Sequence, residues 1–318
     1  MNKDKQYKPK IGLALGSGSA RGWAHIGVIR ALAEEGIEPD IVTGCSIGAL
    51  VGAAYAKDEL DKLEDWVRQL QWKEVVDLMD ISFLGGGFLK GDKLIEFFKQ
   101  RTADRNIEDL DIPFGAVTTD LNTGREVWLQ SGSLLDAVRA SIALPGLFTP
   151  VEREGRWHVD GGLVNPVPVS LCRAMGAEVV IAVNLNGDVV GKHRRERNKE
   201  IALARQQESA AEMELWDRFV GLFKNSVQSK KEAWLSELLG SSKDMPGMFE
   251  VLAGSINIMQ DRITRSRMAG DPAEVMLAPR LAHIGMLEFD RAEEVIAEGS
   301  ASVKRMKTVL DHAILNYK

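Results

Sequence analysis

The amino-acid sequence predicts a three-layer α/β/α fold around a mostly parallel central sheet. Residues 10–16 (KIGLALG) and 39–44 (PDIVTG) are short, continuous apolar segments, a pattern typical of strands buried on both faces. Each is followed by a segment with helical spacing of apolar residues, at 22–36 and 46–56. Strands and helices that alternate at this pitch form βαβ units, which produce a parallel sheet between two helix layers.

The elements that follow have the same character. Residues 59–110 are predicted to be helical apart from a glycine cluster at 84–91. Strands are predicted at PFGAVTTDL and REVWLQ, followed by a helix in LLDAVRASIALPG that ends at Pro145. Further strands are predicted at RWHVD and at 178–185, then a helix at 247–268, a strand at EVMLAP and a helix from Asp290 to Leu315.

This pattern predicts one α/β core with one excursion from it. Residues 1–10 form a charged tail, 11–186 the core, and 246–318 the C-terminal completion of the core. Residues 187–245 differ, because they are highly charged, contain the run KHRRERNKE and lack strand patterns. We therefore expect 187–245 to be a helical lid or interface rather than an independent domain.

Composition excludes several classes of protein. A net charge of −6 over 318 residues argues against a general nucleic-acid binder. The two cysteines, Cys45 and Cys172, stand in unrelated contexts, so neither a disulfide framework nor a CxxC metal site is expected. The five histidines are scattered and form no HExxH pair. We expect no metal and a reducing, cytoplasmic environment.

The termini and apolar runs predict no membrane span and no export signal. The N-terminal segment MNKDKQYKPK is charged, and the apolar run after it is too short for the core of a signal peptide. The longest apolar run, at 41–56, is shorter than the roughly 20 residues that a membrane-spanning helix needs.

Ser46 is the first candidate for chemistry. It lies in Gly44-Cys45-Ser46-Ile47-Gly48, between a predicted buried strand and a small-residue helix. A sharp strand-to-helix turn exposes a serine hydroxyl, requires small residues two positions away on each side, and places the serine at the positive end of a helix dipole. The pattern favours a nucleophile, and the alternative is a glycine-rich helix start packed closely on the sheet. Cys45 points away from such a turn and is expected to be buried.

The loop at 15–22 (LGSGSARG) is the second candidate. It also follows a buried strand and precedes a helix, so its free N–H groups can surround an anion. A dinucleotide fingerprint would need glycine where Arg21 stands and an acidic residue after the next strand, and both are missing. An oxyanion hole formed by the N–H groups of Gly18 and Ser19 fits better. Gly16, Ser17 and Gly22 would support this loop, and Arg21 would either brace it or be a surface cation.

Asp160 is the candidate base. It ends the predicted strand RWHVD and is followed by Gly161, Gly162 and a proline-stiffened loop, which is typical of an aspartate held in a fixed turn. An Asx turn without chemistry is the alternative. His25, His158, His283 and His312 lie in regular or amphipathic segments, so none of these four is placed like the late histidine of a catalytic triad.

Together these motifs resemble those of the patatin-like phospholipases, and within them the bacterial NTE family proteins. The loop with Arg21-Gly22, the Gly44–Gly48 element and Asp160-Gly161-Gly162 occur in the family's order. Residues 141–151 (SIALPGLFTPV) and 165–170 (NPVPVS) resemble its connecting segments, and the resemblance is weakest across 187–245.

The resemblance implies a patatin-like fold and an acyl-ester hydrolase that acts on phospholipid or lysophospholipid without a metal or cofactor. It further implies that Ser46 is the nucleophile of a Ser–Asp dyad and that Asp160 accepts its proton. One departure concerns the family's GGGxRG loop, which reads SGSARG here, from Ser17 to Gly22. Ser19 keeps an N–H group, but the loop loses conformational freedom.

Within the excursion, residues 216–239 place tryptophan, phenylalanine, valine and leucine side chains largely on one helical stripe, with lysines between them. Such a helix suits peripheral contact with the inner face of a membrane, or a lid over an acyl site. The alternative is a helix packed on its own core or on a second subunit. An alternative function also remains open, that of an interaction or regulatory protein with little turnover.

Overall fold

A computed structural model of the chain describes residues 8–71, 74, 96, 103–188 and 248–315. Nearly all of these belong to one compact unit, which comprises Met1–Val189 and Met259–Lys318. A second unit comprises Val190–Ile258, of which only 248–258 are described. Residues 189–245 of the predicted excursion and most of 72–102 lie outside the described residues, so the boundaries of the excursion stay a prediction. Of the segment predicted to be helical at 59–110, the described residues form an α-helix at Leu60–Gln69, whereas 103–110 contain only a short 3₁₀ turn at Ile107–Asp109.

One sheet forms the centre of the described unit. In it, β1, β2, β3 and β7 are buried along their whole length, including Thr43 in β2 and Thr118, Thr119 and Asp120 in β3. The strands are β1 (Ile11–Leu15), β2 (Ile41–Cys45), β3 (Phe114–Asp120), β4 (Glu126–Leu129), β5 (Val151–Arg153), β6 (Arg156–Asp160), β7 (Val179–Val183) and β8 (Val275–Leu277).

The helices follow the predicted alternation. Among the described residues they are α1 (Ala24–Glu34), α2 (Ile47–Ala56), α3 (Leu60–Gln69), α4 (Leu134–Ser141), α5 (Val169–Ala174), α6 (Met248–Gly270) and α7 (Ala292–Leu315). Where α1 and α7 cross, glycines allow close approach. A Cβ at Gly27 would lie 1.9 Å from the Ile296 carbonyl oxygen, and one at Gly299 would lie 2.0 Å from that of Ala24.

The strand order is β5-β6-β3-β2-β1-β7-β8, with β4 also paired to β3. The β3-β2-β1-β7-β8 part is parallel, whereas β4, β5 and β6 pair antiparallel. The predicted α/β fold with a mostly parallel central sheet is confirmed. Among the described residues, no helix is long and apolar enough to cross a bilayer.

Strands β2 and β6 share one edge of β3. Strand β4 pairs with Ala116 through Thr119 and occupies the other edge. Along the shared edge, β2 ends with Cys45 opposite Val117, and β6 ends with Asp160 opposite Thr118. Because β2 runs parallel to β3 and β6 antiparallel to it, the carboxyl ends of two strands meet at neighbouring positions.

Some elements differ from the prediction. Helix α4 ends at Ser141 rather than at Pro145, because residues 142–147 form a series of tight turns, with Leu144 N–H bonded to Ile142 and Leu147 N–H bonded to Leu144. Strand β5 and helix α5 were not predicted. Each has six residues or fewer, too short for hydrophobic periodicity to be recognised.

Candidate active site

Ser46 occupies the sharp turn between β2 and α2. Its backbone has φ 56° and ψ −126°, a conformation that a non-glycine residue rarely adopts. Neither flanking glycine could carry a side chain. A Cβ at Gly44 would lie 2.4 Å from Cα of Ala49, and one at Gly48 would lie 2.2 Å from the Leu15 carbonyl oxygen. The two glycines therefore let the strained turn pack against the sheet.

Asp160 lies directly beside this turn. The Ser46 hydroxyl donates a 2.5 Å hydrogen bond to Asp160 Oδ2, and the Gly162 N–H donates a 2.7 Å bond to Oδ1. Asp160 is only 1% exposed. Burial raises the pKa of Asp160 from 3.8 to about 6, while the hydrogen bonds from Ser46 and Gly162 act in the opposite direction. The carboxyl is therefore a stronger base than that of an ordinary aspartate, and each of its two oxygens accepts a hydrogen bond.

The glycine-rich loop packs against the first turn of α2. A Cβ at Gly22 would lie 2.2 Å from Ile47 Cγ1, so the loop and the Ser46 turn are in direct contact. The Gly16 N–H bonds to the Val183 carbonyl at 3.1 Å, and the Ser17 N–H to the Pro166 carbonyl at 2.8 Å. These bonds fix the start of the loop to the end of β7 and to the segment after Asp160.

Two N–H groups of this loop bond to no described residue. Those of Gly18 and Ser19 have no acceptor among the described residues, whereas the next one, of Ala20, bonds to Met286. Ser19 has φ 53°, a left-handed conformation that explains why glycine suits this position. Its hydroxyl donates a 2.6 Å bond to the Met286 carbonyl, which anchors the loop in this conformation.

Arg21 is an interior residue rather than a surface cation. It is 2% exposed, and its Nε donates a 3.2 Å bond to the carbonyl oxygen of Gly18. Burial lowers the pKa of Arg21 to about 10, and the charge of Asp188 opposes that shift. The bond to Gly18 occupies the carbonyl side of that peptide, as expected of a residue that braces the loop.

Neither Cys45 nor a histidine competes with these residues. Cys45 is fully buried, and burial raises the pKa of its thiol. Among the described residues, no histidine is hydrogen-bonded to Ser46 or Asp160. His283 is bonded to Glu294 at 2.7 Å, far along the chain from the turn. His193 lies outside the described residues.

Three hydrogen bonds to the glycine-rich loop or to Ser46 were not predicted from the sequence. His25 Nε2 lies 2.7 Å from the Gly16 carbonyl oxygen, and burial lowers the pKa of His25 to about 4, so the neutral ring donates to the loop. Gln260 Oε1 accepts a 3.0 Å bond from the Ser17 hydroxyl. The third is Ser141, whose hydroxyl accepts a 2.9 Å bond from the Ser46 N–H.

A partial signal for these residues exists in the sequence. Gln260 and Thr264 are polar residues at helical spacing on the buried side of α6, where apolar residues would be expected. Ser141 interrupts the apolar run at the end of α4 in the same way. Local sequence patterns show that these polar residues depart from the apolar periodicity of their helices. They do not show which residue of another element each side chain binds.

Comparison with known proteins shows the family of this chain. The sequence profile of the patatin-like phospholipases matches residues 13–173, a range that includes the glycine-rich loop, Ser46 and Asp160. An uncharacterized NTE family protein of Mycobacterium bovis is 34% identical over 326 aligned residues, which cover 92% of this chain and 90% of that protein.

Two further proteins are similar to this chain, with different shares of each chain aligned. Patatin-like phospholipase domain-containing protein 7 of Mus musculus is 39% identical over 188 residues, 55% of this chain and 13% of that protein. The crystal structure of VipD from Legionella pneumophila aligns with 98% of this chain and 72% of that chain, with a TM-score of 0.44 and 14% identity. From the profile match and the mycobacterial relative, we conclude that this chain belongs to the patatin-like phospholipase family.

Proposed function

We propose that this protein is a serine hydrolase of lipid esters that works through a Ser46–Asp160 dyad and an acyl-enzyme intermediate. Membership of the patatin-like phospholipase family supports the general part of this proposal, a lipid hydrolase. The single observation that carries the dyad is the 2.5 Å hydrogen bond from the Ser46 hydroxyl to a buried carboxyl.

In the first step, Ser46 Oγ attacks the carbonyl carbon of the ester while its proton passes to Asp160 Oδ2. The carbonyl oxygen becomes negatively charged and accepts hydrogen bonds from the Gly18 and Ser19 N–H groups. When the tetrahedral intermediate collapses, the carbon–oxygen bond to the alcohol breaks, and the alcohol leaves with the proton held by Asp160. The acyl group is then bonded to Ser46.

In the second step, water replaces the alcohol. Asp160 takes a proton from the water molecule while the water oxygen attacks the acyl carbon. The bond between the acyl carbon and the Ser46 oxygen then breaks, and the Ser46 oxygen receives that proton from Asp160. A fatty acid is released, and the dyad returns to its starting state. The same N–H groups stabilise the charge in both steps.

Three features support an aspartate as the base. Its raised pKa, about 6, brings it closer to the operating pH than an ordinary aspartate. Ser46 lies at the N-terminal end of α2, where the helix dipole favours negative charge. An oxyanion donor contributes about 3 kcal/mol to the transition state. No imidazole is required in this scheme.

We propose that the substrate is a phospholipid or a lysophospholipid. The protein would be cytoplasmic and would contact the membrane surface through residues 216–239. This part rests on the family resemblance and on the amphipathic pattern of a segment outside the described residues. No cofactor, metal or nucleic acid has a role in it, and association with a second copy of the chain is compatible with it.

A substrate panel tests the proposal. The purified protein is incubated with a diacyl phospholipid, a lysophospholipid, a neutral ester and a thioester, and released fatty acid is measured beside the Ser46→Ala variant. We expect hydrolysis of at least one lipid ester by the wild-type protein and none by the variant. Absence of hydrolysis across the whole panel would favour the interaction or regulatory protein instead.

A further inference from the structure

The last hydrogen bond between β2 and β3 is not made directly. In this parallel pair the Val42 N–H donates to the carbonyl of Pro113 at 2.9 Å. Alternate residues of β2 donate to β3, so the next positions along β2 would pair Gly44 with residue 115 and Ser46 with Val117. A regular ladder would therefore place the Ser46 N–H on the Val117 carbonyl oxygen.

The hydroxyl of Ser141 lies between these two groups instead. Its oxygen accepts a 2.9 Å bond from the Ser46 N–H and donates a 2.6 Å bond to the Val117 carbonyl oxygen. Ser141 is the last residue of α4 and is 0% exposed. Serine in a helix commonly returns its hydroxyl to a carbonyl of its own helix, whereas this one connects two strands.

The same helix end also holds the base. The Asp160 N–H donates a 2.9 Å bond to the carbonyl oxygen of Ala143, two residues after Ser141. Helix α4 ends at Ser141, so the Ala143 carbonyl lies outside the helix and is free to accept this bond. Residues 141–143 thus bind the backbone N–H of both dyad residues.

The Val117 carbonyl is the point where these segments converge. A Cβ at Gly161, the residue after the base, would lie 2.3 Å from this same oxygen. The end of β2, the end of α4 and the turn after β6 therefore meet around one carbonyl group of β3. The Ser141 hydroxyl lies between β3 and the residue that follows β2, Ser46, which adopts φ 56°.

We propose that Ser141 is a positioning residue that sets the nucleophile against its base. By replacing the last direct ladder bond with a bridge, its hydroxyl fixes the backbone of Ser46 in the strained turn. The Ala143 carbonyl fixes Asp160 from the same helix end. This inference rests on the proposed function, because it concerns the alignment of the dyad rather than its chemistry.

The test compares Ser141→Ala with a matched control. The Ser141→Ala variant leaves the Ser46 N–H and the Val117 carbonyl without their bridge. The control is Ser302→Ala on α7, where a buried serine hydroxyl donates a 2.6 Å bond to the Gly299 carbonyl, remote in sequence from the dyad. Both variants lose one buried hydroxyl and are assayed on a soluble short-chain ester, with melting temperatures measured beside the rates.

We expect kcat of Ser141→Ala to fall about 10- to 100-fold with KM nearly unchanged, because a small displacement of a reacting group costs this much. The pH midpoint of the rate should stay where it is in the wild-type protein, since Asp160 keeps its own contacts. The Ser302→Ala control should lose comparable stability but keep its kcat. Equal kcat values for Ser141→Ala and the control would overturn the inference.

Two further variants keep the outcome decisive. If Ser141→Ala melts below the assay temperature, Ser141→Cys, which retains a weak donor and acceptor, replaces it and must still lose kcat relative to Ser302→Ala. Ser46→Ala separates this inference from the proposed function. An active Ser46→Ala variant would contradict the dyad itself, whereas an inactive one beside a fully active Ser141→Ala would contradict only the role of Ser141.

Discussion

Ser46 and Asp160 are 114 residues apart in the sequence and are joined by a 2.5 Å hydrogen bond. The sheet topology explains how they meet, because β2 and β6 run toward each other along one edge of β3 and end at neighbouring positions. A serine that follows one strand thus meets an aspartate that ends another, the arrangement on which the proposed dyad rests.

Ser46→Ala should reduce ester hydrolysis by at least about 10³-fold, because it removes the hydroxyl that donates to Asp160. The free energy of unfolding should fall by only about 1–2 kcal/mol near neutral pH, since the change removes one hydrogen bond to a carboxylate and no core packing. Release of acid from a soluble ester and urea unfolding measure the two effects. Substantial activity in a folded Ser46→Ala variant would exclude Ser46 as the nucleophile.

The pH dependence should follow the titration of Asp160. The carboxyl must be ionised to accept a proton, so kcat/KM should fall as the pH drops through about 6. A midpoint near 4 would show instead that the working carboxyl has an ordinary pKa. The measurement is kcat/KM for a soluble ester in overlapping buffers, with the protein shown to be folded at each pH.

Stability should depend on the same group with the opposite sign. Because its pKa is raised in the folded state, Asp160 contributes stability below about pH 4 that is lost as the pH rises through about 6. Asp160→Asn removes this titration, so its stability relative to the wild-type protein should rise by up to about 3 kcal/mol from low pH to about pH 8. Urea unfolding at about pH 4.5 and pH 8 tests this, and equal differences at the two values would contradict it.

The two glycines of α2 provide a matched pair for the packing of the turn. Gly48→Ala should cost about 3 kcal/mol or more and abolish activity, because its Cβ would meet the backbone oxygen of Leu15 at 2.2 Å. Gly52→Ala, one turn later, would meet side-chain atoms of Val42 and Phe114 at 3.1 and 3.2 Å. Its cost should stay within about 1 kcal/mol, since alanine favours the helix. Similar thermal unfolding of both variants would contradict this account of the turn.

The aromatic stripe at 216–239 leads to a prediction based on sequence alone. Truncation of Trp216 and Trp234 together should reduce activity on phospholipid vesicles and leave activity on a soluble short-chain ester intact. Two tryptophans in a core would behave otherwise, because each truncation costs about 3–5 kcal/mol and would damage both activities. Equal loss on the two substrates together with a lower melting temperature would place this segment in a core.

The sequence predicts the local parts of this site well. The buried strands, the small-residue turn at Ser46 and an aspartate at the end of a strand are all recognisable, because each has a pattern within a few residues. The antiparallel pairing of β6 on the same edge of β3 as β2 has no such pattern. It depends on the register between distant segments, here Asp160 with Thr118.

The contacts around the site could not be predicted from local sequence patterns either, because they also join distant segments. Ser141 and Gln260 are single polar residues in otherwise amphipathic helices, and their partners lie in other elements. The role of Ser141 depends on where β2 separates from β3, and that point is defined only by the assembled sheet. Local motifs therefore indicate the proposed nucleophile and base but do not indicate the residues that contact their backbones.

The most direct test of the dyad is the rate of covalent labelling of Ser46 by a fluorophosphonate, with the adduct located by mass spectrometry. We expect one adduct, on Ser46, in the wild-type protein and in the His158→Gln, His283→Gln and His312→Gln variants at similar rates. In the folded Asp160→Asn variant the rate should fall by orders of magnitude. An adduct on another residue, unchanged labelling in Asp160→Asn, or loss of labelling in a folded histidine variant would contradict a Ser46–Asp160 dyad.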